Sequence, residues 1–275
     1  MVMQKPDKLL PLVNCMKYTT LKCENRAAGI LVVTLNRPEV RNAINSTMMA
    51  ELLMLWQELA EPNTVRSVVL TGEGKAFCAG ADLKERNDLT VDEWREHHVI
   101  LERAMKAMIA CPVPIIAAVN GAAFGGGLEL ALACDFAYAA SHATLGMPET
   151  TLGIMPGAMG TQNLPRACGM RRAKEICLTG GAFSAAEALE WGVVNRLCDS
   201  ESLLDEVLDV ARKIAANAPL AIRQVKKAMA AGEMANQIAG YRIELEAYYQ
   251  LIPTADREEG IRAFNEKRKP QFLGR

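Results

Sequence analysis

Two hydrophobic rhythms alternate along the chain. Short, nearly unbroken apolar runs, GILVVTL (Gly29–Leu35), SVVLTG (Ser67–Gly72) and PIIAAVNG (Pro114–Gly121), are separated by segments whose apolar residues recur every three or four positions. Runs of this length, rich in β-branched residues and bounded by glycine, proline or an Asn-Gly pair, predict strands buried on both faces. The periodic segments TMMAELLMLWQELA (Thr47–Ala60) and Val91–Ala110 predict helices. Strand and helix in alternation imply right-handed crossovers and a largely parallel sheet. After about Ser200 the pattern is helical, with Pro219 placed to start a helix. The expected organisation is an α/β core over residues 1–199 and a helical C-terminal region over 200–275 that packs on the core or on a neighbouring subunit.

Charge sharpens this picture. The chain is 23% charged, yet between Lys106 and Arg166 the only charged residues are Glu129, Asp135 and Glu149. A segment of that length should carry about a dozen. Acids left in a long apolar region are specially stabilised or used. Glu129 lies in GAAFGGGLELALACD, where three glycines precede a helix-forming stretch. Glycines let a backbone approach a ligand closely, and the free N–H groups of a helix start suit a developing negative charge. Glu129 then falls in the first helical turn, where the ordinary alternative is a glutamate that only complements the helix dipole. Glu149, in LGMPETTLGIMPGAMG, sits in an irregular loop set by Pro148; its apolar flanks argue against a merely exposed loop acid. Asp135 reads as a cap or turn acid. In GKAFCAGADLKER a tight loop runs through Gly80, Ala81 and Asp82 into a short helix, so the Ala81 N–H could face a substrate oxygen. A plain loop-to-helix junction fits that segment equally well. Two N–H groups from separate segments would form an oxyanion hole.

Composition excludes several function classes. A net charge of −1 describes no general polyanion binder. Eight cysteines without a CxxC pair, and only three histidines, argue against a metal site and for reduced thiols in a cytoplasmic protein. The N-terminal MVMQKPDKLLPLVNC lacks the apolar core of a secretory signal, and the uncharged run from Ala107 to Leu128 is broken by Pro112, Pro114, Asn120 and glycines, so no membrane association is expected. No GxSxG or GxGxxG occurs, and His97-His98 reads as part of a solvated helix face.

The segments NRPEVRNAIN, AFCAGADLKE, AAVNGAAFGGGLELALACD, MPETTLGIMPGAMGTQNLPR and DREEGIRAFNEKRKPQF, in this order, resemble the enoyl-CoA hydratase/isomerase (crotonase) family from about Thr20 to Phe272. The resemblance implies a crotonase-like spiral of ββα units with a helical C-terminal trimerisation region, assembled as a homotrimer or homohexamer. It also implies an acyl-CoA thioester substrate and no cofactor, coenzyme A being part of the substrate. It carries the oxyanion donors onto the N–H groups of Ala81 and Gly126, and the two acid/base positions of the hydratases onto Glu129 and Glu149. Arg37, Asp82, Leu83 and Lys84 are implied along the coenzyme A path, with Phe264 and Lys267 at its nucleotide end. Having both acids favours a hydratase, as in β-oxidation, over an isomerase on the same scaffold. Met159 stands where many relatives have glycine, which suggests a restriction on acyl-chain length. FCAGADLKER and IPTADREEG look most like the RNA-binding methylglutaconyl-CoA hydratases. Their RNA contact is a lysine-rich helix, however, and the matching STMMAELLMLWQELAEPNTVR contains no lysine, so no nucleic-acid partner is expected. A substrate with a distal carboxylate, such as methylglutaconyl-CoA, would need a basic partner in the acyl pocket, and the sequence alone places none.

Overall fold

A computed structural model describes residues 18–275; the N-terminal reading above and Cys15 lie outside the described residues. The chain winds as a spiral in which the three turns after the first each give one strand to a large sheet, one to a small sheet, and then one or more helices. Strand β1 (Leu21–Arg26) pairs antiparallel with β2 (Ile30–Leu35), and α1 (Ser46–Ala60) follows. The next turn holds β3 (Ser67–Gly72), β4 (Ala76–Cys78), α2 (Leu83–Asn87) and α3 (Val91–Ile109). The third holds β5 (Ile115–Val119), β6 (Ala122–Phe124) and α4 (Gly126–Ala133). The fourth holds β7 (Phe136–Ala140), β8 (Thr144–Gly146), a 3-10 turn at Glu149–Leu152, α5 (Gly160–Cys168) and α6 (Met170–Thr179). Then come β9 (Ala182–Ser184), α7 (Ala185–Glu190) and β10 (Arg196–Cys198). The large sheet runs β1-β2-β3-β5-β7-β10 and the small one β4-β6-β8-β9. From β2 to β10 the large sheet is parallel.

The sequence pattern explains the layering. Every residue of β3 and β5 is buried, because helices cover both faces of the large sheet. One face packs under α1 and α3 through Leu31, Val33, Val68, Leu70, Ile115 and Ala117. The other packs through Val32, Val69 and Ile116 against α8 (Leu203–Ala215), which buries Val207, Leu208 and Ala211. Helix starts follow local chemistry: Asn45 caps α1 by accepting from Met48 N–H, and Thr90 and Glu93 form a capping box on α3.

The chain ends in α9 (Pro219–Glu233, with proline in its first turn), α10 (Gln237–Leu251) and α11 (Ala255–Asn265). Lys226 of α9 ties this region to the core by donating to the Asp135 carboxylate at 2.8 Å, and that carboxylate also accepts from Ile115 N–H at 2.7 Å. Asp135 thus bridges strand and appendage, as its reading as a structural acid anticipates. Among the described residues no helix is long and apolar enough to cross a membrane, and no cluster of His, Cys, Asp or Glu could hold a metal ion.

Candidate active site

The site lies where three spiral turns meet. After β4 the chain turns at Gly80, whose φ of +95° favours glycine, and Ala81 bridges to Ile44. The bridge is built from Ile44 N–H to Gly80 O and Asp82 N–H to Ile44 O, at 2.7 and 2.9 Å. Asp82 caps α2 by accepting from Lys84 and Glu85 N–H, and it receives the Arg37 guanidinium at 2.9 Å. Arg37 also donates to Ala43 O at 2.6 Å. Burial alone would raise the Asp82 carboxyl, but the Arg37 hydrogen bond and the helix N–H groups hold it below the usual carboxylate range. Arg37 and Asp82 therefore brace the loop that presents Ala81.

The facing element is the start of α4. Gly125 (φ +51°) makes the turn from β6, its N–H bonded to Gly146 O. Among the described residues, neither the Ala81 nor the Gly126 N–H donates to a backbone carbonyl. The two are neighbours: a Cβ built on Gly80 would lie 3.5 Å from Gly126 N, and one built on Gly126 would lie 3.9 Å from Ala81 N. Two unpaired donors side by side, one at a helix start, make a place for an oxyanion.

Both candidate acids stand beside it. Glu129, 3% exposed, accepts through Oε1 from Ala158 and Gly160 N–H, each at 2.7 Å. Burial pushes its carboxyl up to about 7; the two N–H bonds and Arg86 oppose the shift, and Glu149 adds to it. Glu149, 8% exposed, is also raised by burial, and its carboxylate hangs over Gly125, where a Cβ would meet Oε1 at 3.0 Å. Glu149 Oε2 is buried without a hydrogen-bond partner. Other buried acids are saturated. Glu51 takes four donors from Thr19 and Thr20, Asp256 takes the N–H groups of Leu273 and Gly274, and Glu259 is held by Arg262, Arg268 and Gln271. A buried carboxylate oxygen left open is costly to a fold, which sets Glu149 apart from these saturated acids.

The raised Glu129 carboxyl sets a stability prediction. Between the ordinary value and about 7 the native state holds a proton that the unfolded chain has released. Stability therefore falls as pH rises across that window, by up to roughly 3 kcal/mol. Urea titrations from pH 4.5 to 8 should show this slope in the wild type and its loss in Glu129→Gln; parallel slopes would contradict it.

One cavity of about 150 Å³ gathers Ala81, Leu83, Gly126, Glu129 and Glu149. Arg37, Asp82, Lys84, Phe264 and Lys267 are not part of its wall. Phe264 is 83% exposed, and Lys267 is exposed at the end of α11. Three wall residues come from α3: Trp94, His98 and Leu101, at helical spacing. His98 is therefore not a simply solvated residue. Its ring packs where a Gly157 Cβ would stand, 2.7 Å away, so His98 closes the wall against Gly157 and a side chain there would displace the ring. The sequence reading took His98 as solvated and passed over Arg86, also on the wall; for His98 the i, i+4, i+7 stripe of Trp94, His98 and Leu101 was the available signal.

Met159 does not line the cavity. Its φ is +75° and its side chain is 38% exposed, while its carbonyl starts α5 by accepting from Gln162 and Asn163 N–H. The left-handed backbone between Ala158 and Gly160, the two donors to Glu129, is what favours glycine here. Met159→Gly should leave acyl-chain preference unchanged and raise stability by about 1 kcal/mol. A changed rank order among short acyl-CoAs would contradict this.

The enoyl-CoA hydratase/isomerase family model matches residues 25–275. The chain belongs to that family. A Bacillus subtilis protein assigned by name to the enoyl-CoA hydratases/isomerases is 46% identical over 93% of this chain and 97% of its own length. The short-chain-enoyl-CoA hydratase of Clostridium acetobutylicum is 38% identical over 87% and 92%. The crystal structure of an enoyl-CoA hydratase from Bacillus anthracis superposes with a TM-score of 0.92 at 41% identity, covering 94% of this chain and all of that one. The fold is thus the crotonase spiral, and family membership points to chemistry on enoyl-CoA thioesters.

Proposed function

We propose that the protein is an enoyl-CoA hydratase, a hydro-lyase that adds water reversibly across the C2=C3 bond of a 2-enoyl-CoA. The observation that carries this reading is the pair of buried, upward-shifted acids in one cavity beside two unpaired backbone donors. Hydration moves two protons: the attacking water loses one as its oxygen bonds to C3, and C2 gains one. Two crowded carboxyls resist joint ionisation and hold a single proton between them, so one accepts while the other donates. With its carboxyl near 7, Glu129 exchanges a proton at small cost at neutral pH. The negative charge that builds on the thioester oxygen meets the Ala81 and Gly126 N–H groups. Neither a metal nor a redox cofactor takes part in this scheme.

An isomerase on the same scaffold needs only one proton-shuttling acid. Glu129 is clamped by Ala158 and Gly160 in a defined direction, which favours a working second acid. Loss of enoyl absorbance on adding crotonyl-CoA, read against conversion of a 3-enoyl-CoA, separates the two. Hydration of crotonyl-CoA is expected; turnover of the 3-enoyl thioester alone would refute the hydratase reading.

Arg37, Asp82, Leu83 and Lys84 are proposed to border the coenzyme A path, Arg37 and Asp82 by fixing the loop. Phe264, exposed on α11, and Lys267, in the turn just past its end, would reach the nucleotide of a bound or neighbouring site. Exposed Met229, Ile238 and Tyr241 on α9 and α10 support a homotrimer or homohexamer built through the region from 200 to 275. Cys78, Cys111, Cys134, Cys168, Cys177 and Cys198 are free thiols, which suits a cytoplasmic setting.

A further inference from the structure

Arg86 lies on the cavity wall that holds Glu129 and Glu149, and no ion pair answers its charge. Its side chain is half-buried, with the guanidinium carbon 4.7 Å from the centroid of the Trp94 ring. Among the described residues the guanidinium makes no hydrogen bond or ion pair. Glu85 lies within reach of its field, but the Glu85 carboxylate is taken by the Ser46 N–H and hydroxyl. Other cations sheltered by the fold are neutralised, as with Arg37 on Asp82 and Lys226 on Asp135. A cation taken partly out of water is costly unless a negative charge stands nearby, and the cavity offers two acids to supply it.

The two acids are not equal before it. Arg86 and Glu129 each act on the other, whereas the Glu149 carboxyl answers to burial and its own backbone N–H. Glu129 Oε1 also takes the N–H groups of Ala158 and Gly160, while Glu149 Oε2 has no partner. Both differences favour negative charge on Glu129 and the shared proton on Glu149. The other titratable groups around Glu129 are Glu149 of the 3-10 turn, His98 of α3, Cys78 of β4 and Cys177 of α6. Tyr138 of β7 lies on the far face of the sheet, and Arg166 of α5 is engaged by Glu233 and the Gln162 carbonyl. Stacking on Trp94 holds the Arg86 charge in place. We infer that Arg86 is a positioning residue for the proton: acting through Glu129, it keeps that acid ionised as the base for water and leaves the shared proton on Glu149. The inference rests on the reading above that the two acids share the proton transfers of hydration.

The test reads charge on Glu129 rather than rate alone. Removing a nearby cation makes a carboxylate harder to form, so the acid limb of kcat/KM for crotonyl-CoA should move up by about one pH unit in Arg86→Met and Arg86→Gln. The loss would then be about tenfold at pH 6.5 and nearly gone by about pH 9, and Arg86→Lys should keep most of the wild-type profile. A loss equal at every pH would overturn the inference, since it would mark Arg86 as a substrate contact or a packing residue. Superimposable profiles would overturn it as well. The second arm needs no turnover. In urea titrations the fall of stability with rising pH, which ends near 7 in the wild type, should extend about one pH unit higher in Arg86→Met. Combining Arg86→Met with Glu129→Gln should abolish that extension. A window that stays in place, or an extension that survives Glu129→Gln, sinks the inference. If the wild type fails to hydrate crotonyl-CoA while the window moves as stated, the hydratase reading falls and the charge assignment stands. Hydration with an unmoved limb and an unmoved window does the reverse.

Discussion

Glu129→Gln and Glu149→Gln should each lower hydration of a 2-enoyl-CoA by about a hundred- to ten-thousand-fold, the range typical of a positioned acid or base. Each glutamine keeps the shape and one carbonyl acceptor. Glu129→Gln can still take the N–H groups of Ala158 and Gly160, so the cavity and thioester binding should be retained. The loss should fall on kcat with coenzyme A affinity little changed, because what is removed is a proton exchanged only in the transition state. The double variant should be scarcely worse than either single one, since acids that share one proton act as a unit. Additive losses would mean that the two acids act independently, and a Glu129→Gln of near wild-type rate would point to a single working acid at Glu149.

Gly127→Ala should damage stability and catalysis together. A Cβ there would lie 2.1 Å from Cys78 O and 2.9 Å from the Cys78 side chain. The obstacle is backbone, so α4 or the segment leading to Ala81 must shift. Overpacking of this kind costs about 1–3 kcal/mol. The same shift separates the Gly126 and Ala81 N–H groups, and misplacing one oxyanion donor costs about a hundred- to a thousand-fold in kcat. Thermal unfolding with steady-state kinetics checks both. A variant that unfolds earlier yet turns over normally would dissociate the contact from the oxyanion hole.

How much of this was legible in the sequence follows from what each feature depends on. The strand read at Ser67–Gly72 is β3 without adjustment, and Gly29–Leu35 and Thr47–Ala60 match β2 and α1 to one residue at one end. These elements are buried against the main core, so composition and period carry the signal. The small sheet was not read, because β4, β6, β8 and β9 are each three residues long and lie in glycine-rich loops that only the spiral stacks together. Glu129, Glu149 and Ala81 stood out through missing charge and glycine spacing, which are properties of the chain. Arg86 did not, because only the fold brings it to the wall that holds Glu129 and Glu149. His98 was read as solvated because its neighbours Arg95, Glu96 and His97 are polar, which hid the stripe it shares with Trp94 and Leu101. Met159, read as a restriction on chain length, lies off the cavity wall, and its left-handed backbone is a separate reason for glycine at that position.

The central claim is that Glu129 and Glu149 deliver a water molecule to C3. It is tested most directly by incubating the protein with crotonyl-CoA in water labelled with oxygen-18 and identifying the product by mass spectrometry. The account predicts a 3-hydroxyacyl-CoA with one labelled oxygen at C3, formed by the wild type and all but lost in both glutamine variants. Rearranged double bonds without incorporated oxygen, or label entering the variants at the wild-type rate, would contradict it.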